Sequence, residues 1–98
     1  MYKPLPDSLT IKKSPIHGLG LFAIKKINKG VDLGITHYVT KDKLIRTPLG
    51  GFVNSSNKPN VKLKREKGTR FLKMITINII NPDDELTGEY DVDKARYK

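Results

Sequence analysis

The run RFLKMITINI at positions 70–79 constrains the fold more than any other stretch, because it lacks Gly and Pro and is rich in β-branched residues. Apolar side chains alternate along it, and only Lys73 interrupts them; the alternating set is Phe71, Ile75, Ile77 and Ile79. Alternation with a period of two is typical of a half-buried β-strand. We therefore predict a strand over 70–79 with these apolar residues on one face.

Short strands also fit the rest of the chain, because Gly and Pro interrupt it often and helical periodicity is weak. The alternation predicts further strands over 9–13, 20–24, 31–39 and 61–65, whereas 41–46 fits a helical turn or a strand equally well. Residues 61–65 and 70–79 are predicted to form a hairpin with a basic tip. The predicted fold class is mainly β with little helix. His37 lies on an apolar face of its strand, and we expect a hydrogen-bonded core residue there.

The chain has 98 residues, which fits a single domain over 1–98 with a core at about 9–91 and a C-terminal tail at 92–98. It contains no cysteine, so disulfides and cysteine-based zinc sites are excluded. No His, Asp and Glu set has convincing metal-ligand spacing, so we predict no metal. No apolar run approaches the ~20 residues of a membrane span, and the N-terminus does not resemble a signal peptide. We therefore expect no membrane contact and a cytoplasmic location.

The charge is unevenly distributed along the chain, which carries a formal net charge of +9. The segment 58–73 is strongly basic, and the segment 83–93 holds six of the ten acidic residues. Two solvated faces would explain this pattern, and so would a basic edge and an acidic lip with different partners. The sequence leaves both explanations open.

Three motifs occur one after another along the chain: GLGLFA at 18–23, FVNSSNKPN at 52–60 and ELTGEY at 85–90. Each has an ordinary structural explanation when it is taken alone. A Gly-x-Gly pair is typical of a tight turn. A stretch rich in Asn and Ser is typical of consecutive Asx and Ser turns, and a single Tyr near the end of the chain is typical of an ordinary sheet residue. Their joint order is far more specific than any one of them.

Together the three motifs resemble those of the SET-domain family of protein lysine methyltransferases, and the resemblance covers about residues 9–91. It implies several small sheets around a knot-like crossing, in which the segment that carries Tyr90 passes through a loop near the Asn-rich motif. Side chains of that motif would satisfy backbone groups at the crossing.

The resemblance also implies S-adenosyl-L-methionine as methyl donor and a lysine-containing protein or peptide as substrate. Tyr90 would be the catalytic residue that orients the amine. The residues implied for the cofactor are His17, Gly18, Leu19, Gly20, Asn54 and Ser55. Those implied for the substrate are Tyr38, Asp91 and Tyr97.

The chain departs from the family pattern in three places. Ser55 stands where the motif has His, Asn57 stands where it has Cys, and the segment 30–52 lacks the insert that builds one wall of the peptide groove. A second subunit could complete that groove, so a homodimer is one expectation. The small size is similar to viral, phage or bacterial members, and a viral or phage origin would place the protein in a host cytoplasm.

Two other functions stay open. The first is a weak or inactive SET-like module that binds the donor or another protein. The second, less favoured, is a basic β-domain that binds nucleic acid. Only Phe71 lies within the basic stretch, and the sequence shows no aromatic stacking platform.

Overall fold

The computed structural model describes residues 5–65 and 68–88. The strands are β1 (Leu9–Lys13), β2 (Leu19–Ala23), β3 (Asp32–Val39), β4 (Leu44–Arg46), β5 (Asn54–Ser55), β6 (Val61–Arg65), β7 (Phe71–Thr76) and β8 (Glu85–Gly88). A short helix, α1 (Pro48–Gly51), follows β4 and is capped by the side chain of Thr47. This composition confirms the prediction of a mainly β fold with little helix.

The strands form two four-stranded sheets. The first has the order β1-β2-β8-β5, in which β8 is antiparallel to β2 and parallel to β5. The second has the order β4-β3-β7-β6 and is antiparallel throughout. The predicted hairpin is present as β6 and β7. In the segment 41–46, for which a helical turn and a strand were both expected, the structure has a strand at Leu44–Arg46.

Side chains from both sheets meet in one core. Leu21 and Leu86 from the first sheet and Val61 and Met74 from the second are fully buried in the same cluster. Each fully buried aliphatic side chain contributes about 1.5–3 kcal/mol relative to an exposed one. Because neither sheet buries its inner face alone, the two sheets depend on each other for stability.

Strand β7 buries the opposite face from the one that carries the alternating isoleucines. Leu72, Met74 and Thr76 point into the core, whereas Phe71, Lys73 and Ile75 are only partly buried. Both faces of this strand are apolar, so alternation alone could not identify the inner one. Lys73 marks the outer face, since an unpaired ammonium group would be costly in the core.

The strand also ends earlier than the predicted position 79. The hydroxyl of Thr76 donates to the carbonyl of Asn28 at 2.6 Å and accepts from the amide of Val31 at 2.8 Å. These bonds fix the end of the ladder at Thr76. Ile79 therefore lies beyond the sheet, and 56% of its surface is exposed.

His37 occupies the core, as the sequence predicts. A register shift between Ile35 and His37 accompanies the burial of two successive residues, Thr36 and His37, and only 1% of the His37 surface is exposed. The Nδ1 atom of His37 shares a hydrogen bond of 2.9 Å with the hydroxyl of Thr36. Burial, with a smaller contribution from the positive charge of Arg46, lowers the pKa of His37 from its ordinary value of 6.5.

Within the described residues, no helix is both long enough and apolar enough to cross a membrane.

The burial pattern of β7 predicts the effect of two substitutions. We expect Met74→Ala to lower the free energy of unfolding by about 2–5 kcal/mol, because it leaves a cavity in the shared core. The matched control Ile79→Ala should change it by less than about 0.5 kcal/mol. Urea denaturation of both variants measures the difference, and equal losses would contradict the assignment of the inner face.

The pKa of His37 predicts a pH-dependent stability. Because this pKa is lower in the folded state, the unfolded chain binds more protons at mildly acidic pH, and stability falls as pH drops through 6.5. One proton limits the slope to about 1.4 kcal/mol per pH unit. Urea denaturation between about pH 7.5 and about pH 5.5 should show this slope in the wild type and in His17→Asn, but not in His37→Asn.

Candidate functional site

The third sequence motif passes between the first two. Strand β8 lies between β2, which carries the glycine motif, and β5, which carries the Asn-rich motif. Parallel pairing aligns Asn54 with Thr87 and Ser55 with Gly88. The amide of Ser56 extends this pairing by donating to the carbonyl of Gly88 at 3.0 Å. The chain thus crosses itself where the resemblance implies a knot-like arrangement.

A side-chain amide replaces a missing piece of backbone ladder along β8. The Nδ2 group of Asn60 donates to the carbonyl of Glu85 at 2.9 Å, and its Oδ1 atom accepts from the amide of Thr87 at 2.8 Å. The backbone amide of Asn60 also donates to the carbonyl of Thr87 at 3.0 Å. Asn60 therefore satisfies polar groups that would otherwise be left without partners where regular pairing stops.

The carboxylate of Glu85 joins the glycine motif to the Asn-rich motif. The Nδ2 group of Asn54 donates to Glu85 Oε2 at 2.8 Å and lies 3.1 Å from the carbonyl of His17 and 3.3 Å from that of Leu19. On the other side, the hydroxyl of Ser14 lies 2.8 and 2.9 Å from the two carboxylate oxygens. One amide and one carboxylate therefore fix three segments of the chain relative to each other.

The two glycines of the motif have different structural roles. Gly18 has a φ of +48°, and a Cβ atom built on it would meet no atom within 4 Å. Gly20 has no such freedom, because a Cβ there would overlap the carboxylate of Glu85 and lie 3.1 Å from Asn54 Nδ2. Gly20 is thus needed for the close approach of β2 to Glu85, and Gly18 for the turn that precedes β2.

Sequence reasoning placed Glu85 in a motif but gave it no role of its own. Its side-chain partners Asn54 and Ser14 lie 31 and 71 positions away in the sequence. No local pattern could have identified it, since the contact exists only after β2, β5 and β8 have assembled.

A cleft of about 350 Å³ opens beside this junction. Three of the predicted cofactor residues line it, namely His17, Asn54 and Ser55, together with Ile16, Ser56 and Asn57. The other three, Gly18, Leu19 and Gly20, continue the same backbone into β2 without lining the cleft. Their roles in binding a cofactor stay predictions.

The polar atoms of the cleft suit a small zwitterionic ligand. His17 and Ser55 are exposed, and among the described residues no donor reaches Asn54 Oδ1. The open space above Gly18 leaves room for close approach to the backbone. The residues present are therefore compatible with S-adenosylmethionine. The described residues contain no group of three or more His, Cys, Asp or Glu that could hold a metal ion.

The predicted substrate residue Tyr38 lies away from this cleft. It is 45% exposed and lines a larger depression of about 870 Å³, which is bordered by residues of β3 and β7 and by the N-terminal residues 5–7. The register of β3 sets it opposite Phe71, on the face that points away from the core. Its role in binding a substrate stays a prediction.

The remaining predicted site residues, Tyr90, Asp91 and Tyr97, lie outside the described residues, and their roles also stay predictions. Gly88 is the last described residue before Tyr90, and it ends β8 beside Ser55 and Ser56.

Solved structures with similar coordinates identify the fold. A Plasmodium falciparum protein assigned as a histone methyltransferase matches with a TM-score of 0.74 and 22% identity, over 89% of this chain and 96% of its own. The methyltransferase domain of human PR domain-containing protein 2 matches with a TM-score of 0.71 and 18% identity, over 89% and 79% of the two chains.

A humanized mutant of the Chaetomium thermophilum Polycomb Repressive Complex 2 matches with a TM-score of 0.69 and 17% identity, over 84% of this chain and 14% of that one. No protein-family model matches the sequence, and no curated protein is significantly similar to it. The structural similarities establish the SET-domain fold that the three motifs predict.

The side chain of Asn60 should be important for stability. We expect Asn60→Ala to lower the free energy of unfolding by about 2–4 kcal/mol, because it leaves two backbone groups of β8 without partners. Asn57→Ala is the matched control, since Asn57 is exposed in the same loop and should cost less than about 0.5 kcal/mol. Urea denaturation compares the two, and similar losses would refute the proposed bracing of β8.

Proposed function

We propose that the protein is an S-adenosylmethionine-dependent protein lysine N-methyltransferase. The fold supports this proposal, because it is shared with structures named as a histone methyltransferase and as a methyltransferase domain. A fold alone does not define an activity, so the arrangement of residues at the candidate site has to support the proposal.

The observation that carries the proposal is the parallel pairing of β5 with β8. It brings the Asn-rich motif and the ELT motif together beside the glycine motif, and the Asn-rich motif lines a cleft at this junction. Tyr90 follows Gly88 by two positions, and two residues span at most about 7 Å of extended chain. Tyr90 is therefore tethered by the chain to Gly88, which pairs with the cleft residue Ser55.

The proposed donor would be held by Asn54 and Ser55 on one side and by the backbone around His17 and Gly18 on the other. When bound, it supplies an electrophilic methyl group on a sulfonium centre. The bonds from Asn54 to the carbonyls of His17 and Leu19 fix the separation of these two walls in advance. Such preorganisation reduces the ordering cost of binding.

The protein's task toward the substrate is to present a neutral amine in line with the methyl group. A free lysine has a pKa near ~10.4, so few amines are neutral at pH 7. Apolar surroundings disfavour the ammonium form, and positioning contributes a large share of the rate in two-substrate reactions. In this proposal the hydroxyl of Tyr90 orients the amine, and Tyr38 and Tyr97 contact the substrate.

Acidic residues that flank β8 in the sequence would attract a basic peptide. Asp83 and Asp84 are exposed in the turn before β8, although Lys12 lies 3.4 Å from the Asp83 carboxylate. Asp91 belongs to the same acidic segment of the sequence. Charge complementarity of this kind raises association rates more than it raises affinity.

A second candidate is a SET-like module that binds the donor without transferring its methyl group. It is favoured by one observation: Ser55 stands in the cleft at the position where the family motif has His. Because no insert lies between β4 and β5 to wall a peptide groove, a homodimer could complete the groove in either case. The viral, phage or bacterial source remains part of the proposal.

Calorimetry with S-adenosylmethionine and a methyl-transfer assay on a lysine-rich peptide pool separate these candidates. We expect donor binding by the wild type, and a loss of transfer of about 100-fold in Tyr90→Phe, the size typical of removing one positioned hydrogen-bond donor. Tyr2→Phe is the matched hydroxyl deletion and should transfer normally.

Circular dichroism must first show that both variants are folded. Donor binding without transfer by the wild type would favour the inactive module. An absence of donor binding would overturn both candidates.

A further inference from the structure

One surface of the molecule lies away from the candidate cleft and carries charges that the proposed reaction does not use. The outer face is the side of the β4-β3-β7-β6 sheet that points away from the core, and its main side chains are Tyr38, Ile45, Lys62, Lys64, Phe71 and Lys73. The register sets Tyr38 directly opposite Phe71 and Lys64 directly opposite Lys73. Directly opposed residues in an antiparallel pair point to the same side, so these four side chains share one surface.

The aromatic part of the outer face is accessible. Tyr38 is 45% exposed and its other neighbour, Ile45, is 48% exposed. Tyr38 and Phe71 both line the depression of about 870 Å³. Exposed Tyr38 and partly buried Phe71 lie opposite each other on neighbouring strands, whose backbones are about 4.8 Å apart, so both rings belong to one continuous surface.

The basic part of the outer face adjoins these two rings. Lys62 and Lys64 are exposed on β6, and neither forms an ion pair with a described residue. Lys73 lies between them and the rings, with its Nζ atom 5.8 Å from the centre of the Phe71 ring and 3.0 Å from the Asp32 carboxylate. A depression of about 200 Å³ brings Lys62, Lys64 and Lys73 together.

Further cations extend this surface past the rings. Lys41 and Arg70 line a depression of about 360 Å³ at the end of the sheet where β3 finishes. A lysine-rich substrate would be repelled by these charges, so methyl transfer does not explain them. The net charge of +9 thus has a structural counterpart that the proposed function leaves unused.

We propose that the outer face binds single-stranded nucleic acid. Unpaired bases would stack on Tyr38 and Phe71, and Lys62 and Lys64 would neutralise neighbouring phosphates. Single strands fit better than duplexes, because aromatic rings on a sheet can stack only on bases that are not already stacked within a duplex. Single strands also fit better than acidic proteins, because carboxylates would use the lysines and leave both rings without a partner.

This proposal stands independently of methyl transfer. The sequence disfavoured nucleic acid because Phe71 was the only ring in the basic stretch. Pairing of β3 with β7 supplies the second ring from a distant part of the chain.

Fluorescence anisotropy with a labelled oligothymidine measures the binding at several salt concentrations. We expect Lys62→Gln/Lys64→Gln to make the plot of log affinity against log salt shallower by about 1.4, since each phosphate contact on a single strand contributes about 0.7. The matched control is Lys25→Gln/Lys26→Gln, which removes the same charge from exposed positions elsewhere and should keep the slope.

Two substitutions of Tyr38 test stacking apart from charge. Tyr38→Phe keeps a ring and should bind like the wild type, whereas Tyr38→Leu should bind at least about five-fold more weakly. A urea denaturation curve for each variant shows that the fold is intact, and the pair remains decisive because the two differ only in the ring.

Four results would overturn the proposal. If the two lysine double variants have equal salt slopes, the binding depends on the net charge of the protein and not on the outer face. Equally tight binding of a duplex of the same length, or equal affinity in Tyr38→Phe and Tyr38→Leu, would exclude stacking. Competition by an oligoglutamate peptide as effective as by unlabelled oligothymidine would point to an acidic protein partner.

Discussion

The hydrogen bonds that hold β8 between two other segments are the constraint on which the rest of the structure depends. Asn60 binds the backbone of β8 on one side, and the Glu85 carboxylate at its start is held by Asn54 and Ser14. Carboxylate and amide groups form stronger hydrogen bonds in a partly buried site than in water. Without them the first sheet would end at β2, and the cleft beside His17 would lose a wall. Stability and the candidate site therefore share the same few polar side chains.

The two sheets divide the molecule by chemistry as well as by topology. The first sheet carries the cleft, the glycine turn and the acidic turn before β8. The second carries exposed Tyr38 beside partly buried Phe71, together with the exposed Lys62 and Lys64. Because their inner faces share one core, each sheet leaves only one face for a partner. Under the two proposals above, one surface would bind a cationic peptide and the other an anionic polymer.

Local pattern predicted much of the architecture. Strand β1 and the hairpin of β6 and β7 follow from alternation, and three motifs in order predict the fold. The predictions that were wrong, and the features that no prediction included, depend on contacts between residues far apart in the sequence. Alternation could not show that β7 buries Leu72 and Met74, because Phe71 and Ile75 are as apolar as their neighbours. The hydrogen bonds of Glu85 and the pairing of Tyr38 with Phe71 join segments that are far apart in the sequence. No short stretch of sequence contains both partners of either contact.

The position of β8 also bears on the order of assembly. The second sheet uses only residues up to Thr76, so a growing chain can complete it once β7 has left the ribosome. The first sheet has to wait for residues 85–88, and until then β1 and β2 form a hairpin with an unoccupied edge. Pairing between segments so distant is slow compared with hairpin formation. Completion of the cleft therefore requires β8, and a chain interrupted just before Glu85 would lack Leu86 in the shared core and would leave the β8-facing edge of β2 unpaired and open to aggregation.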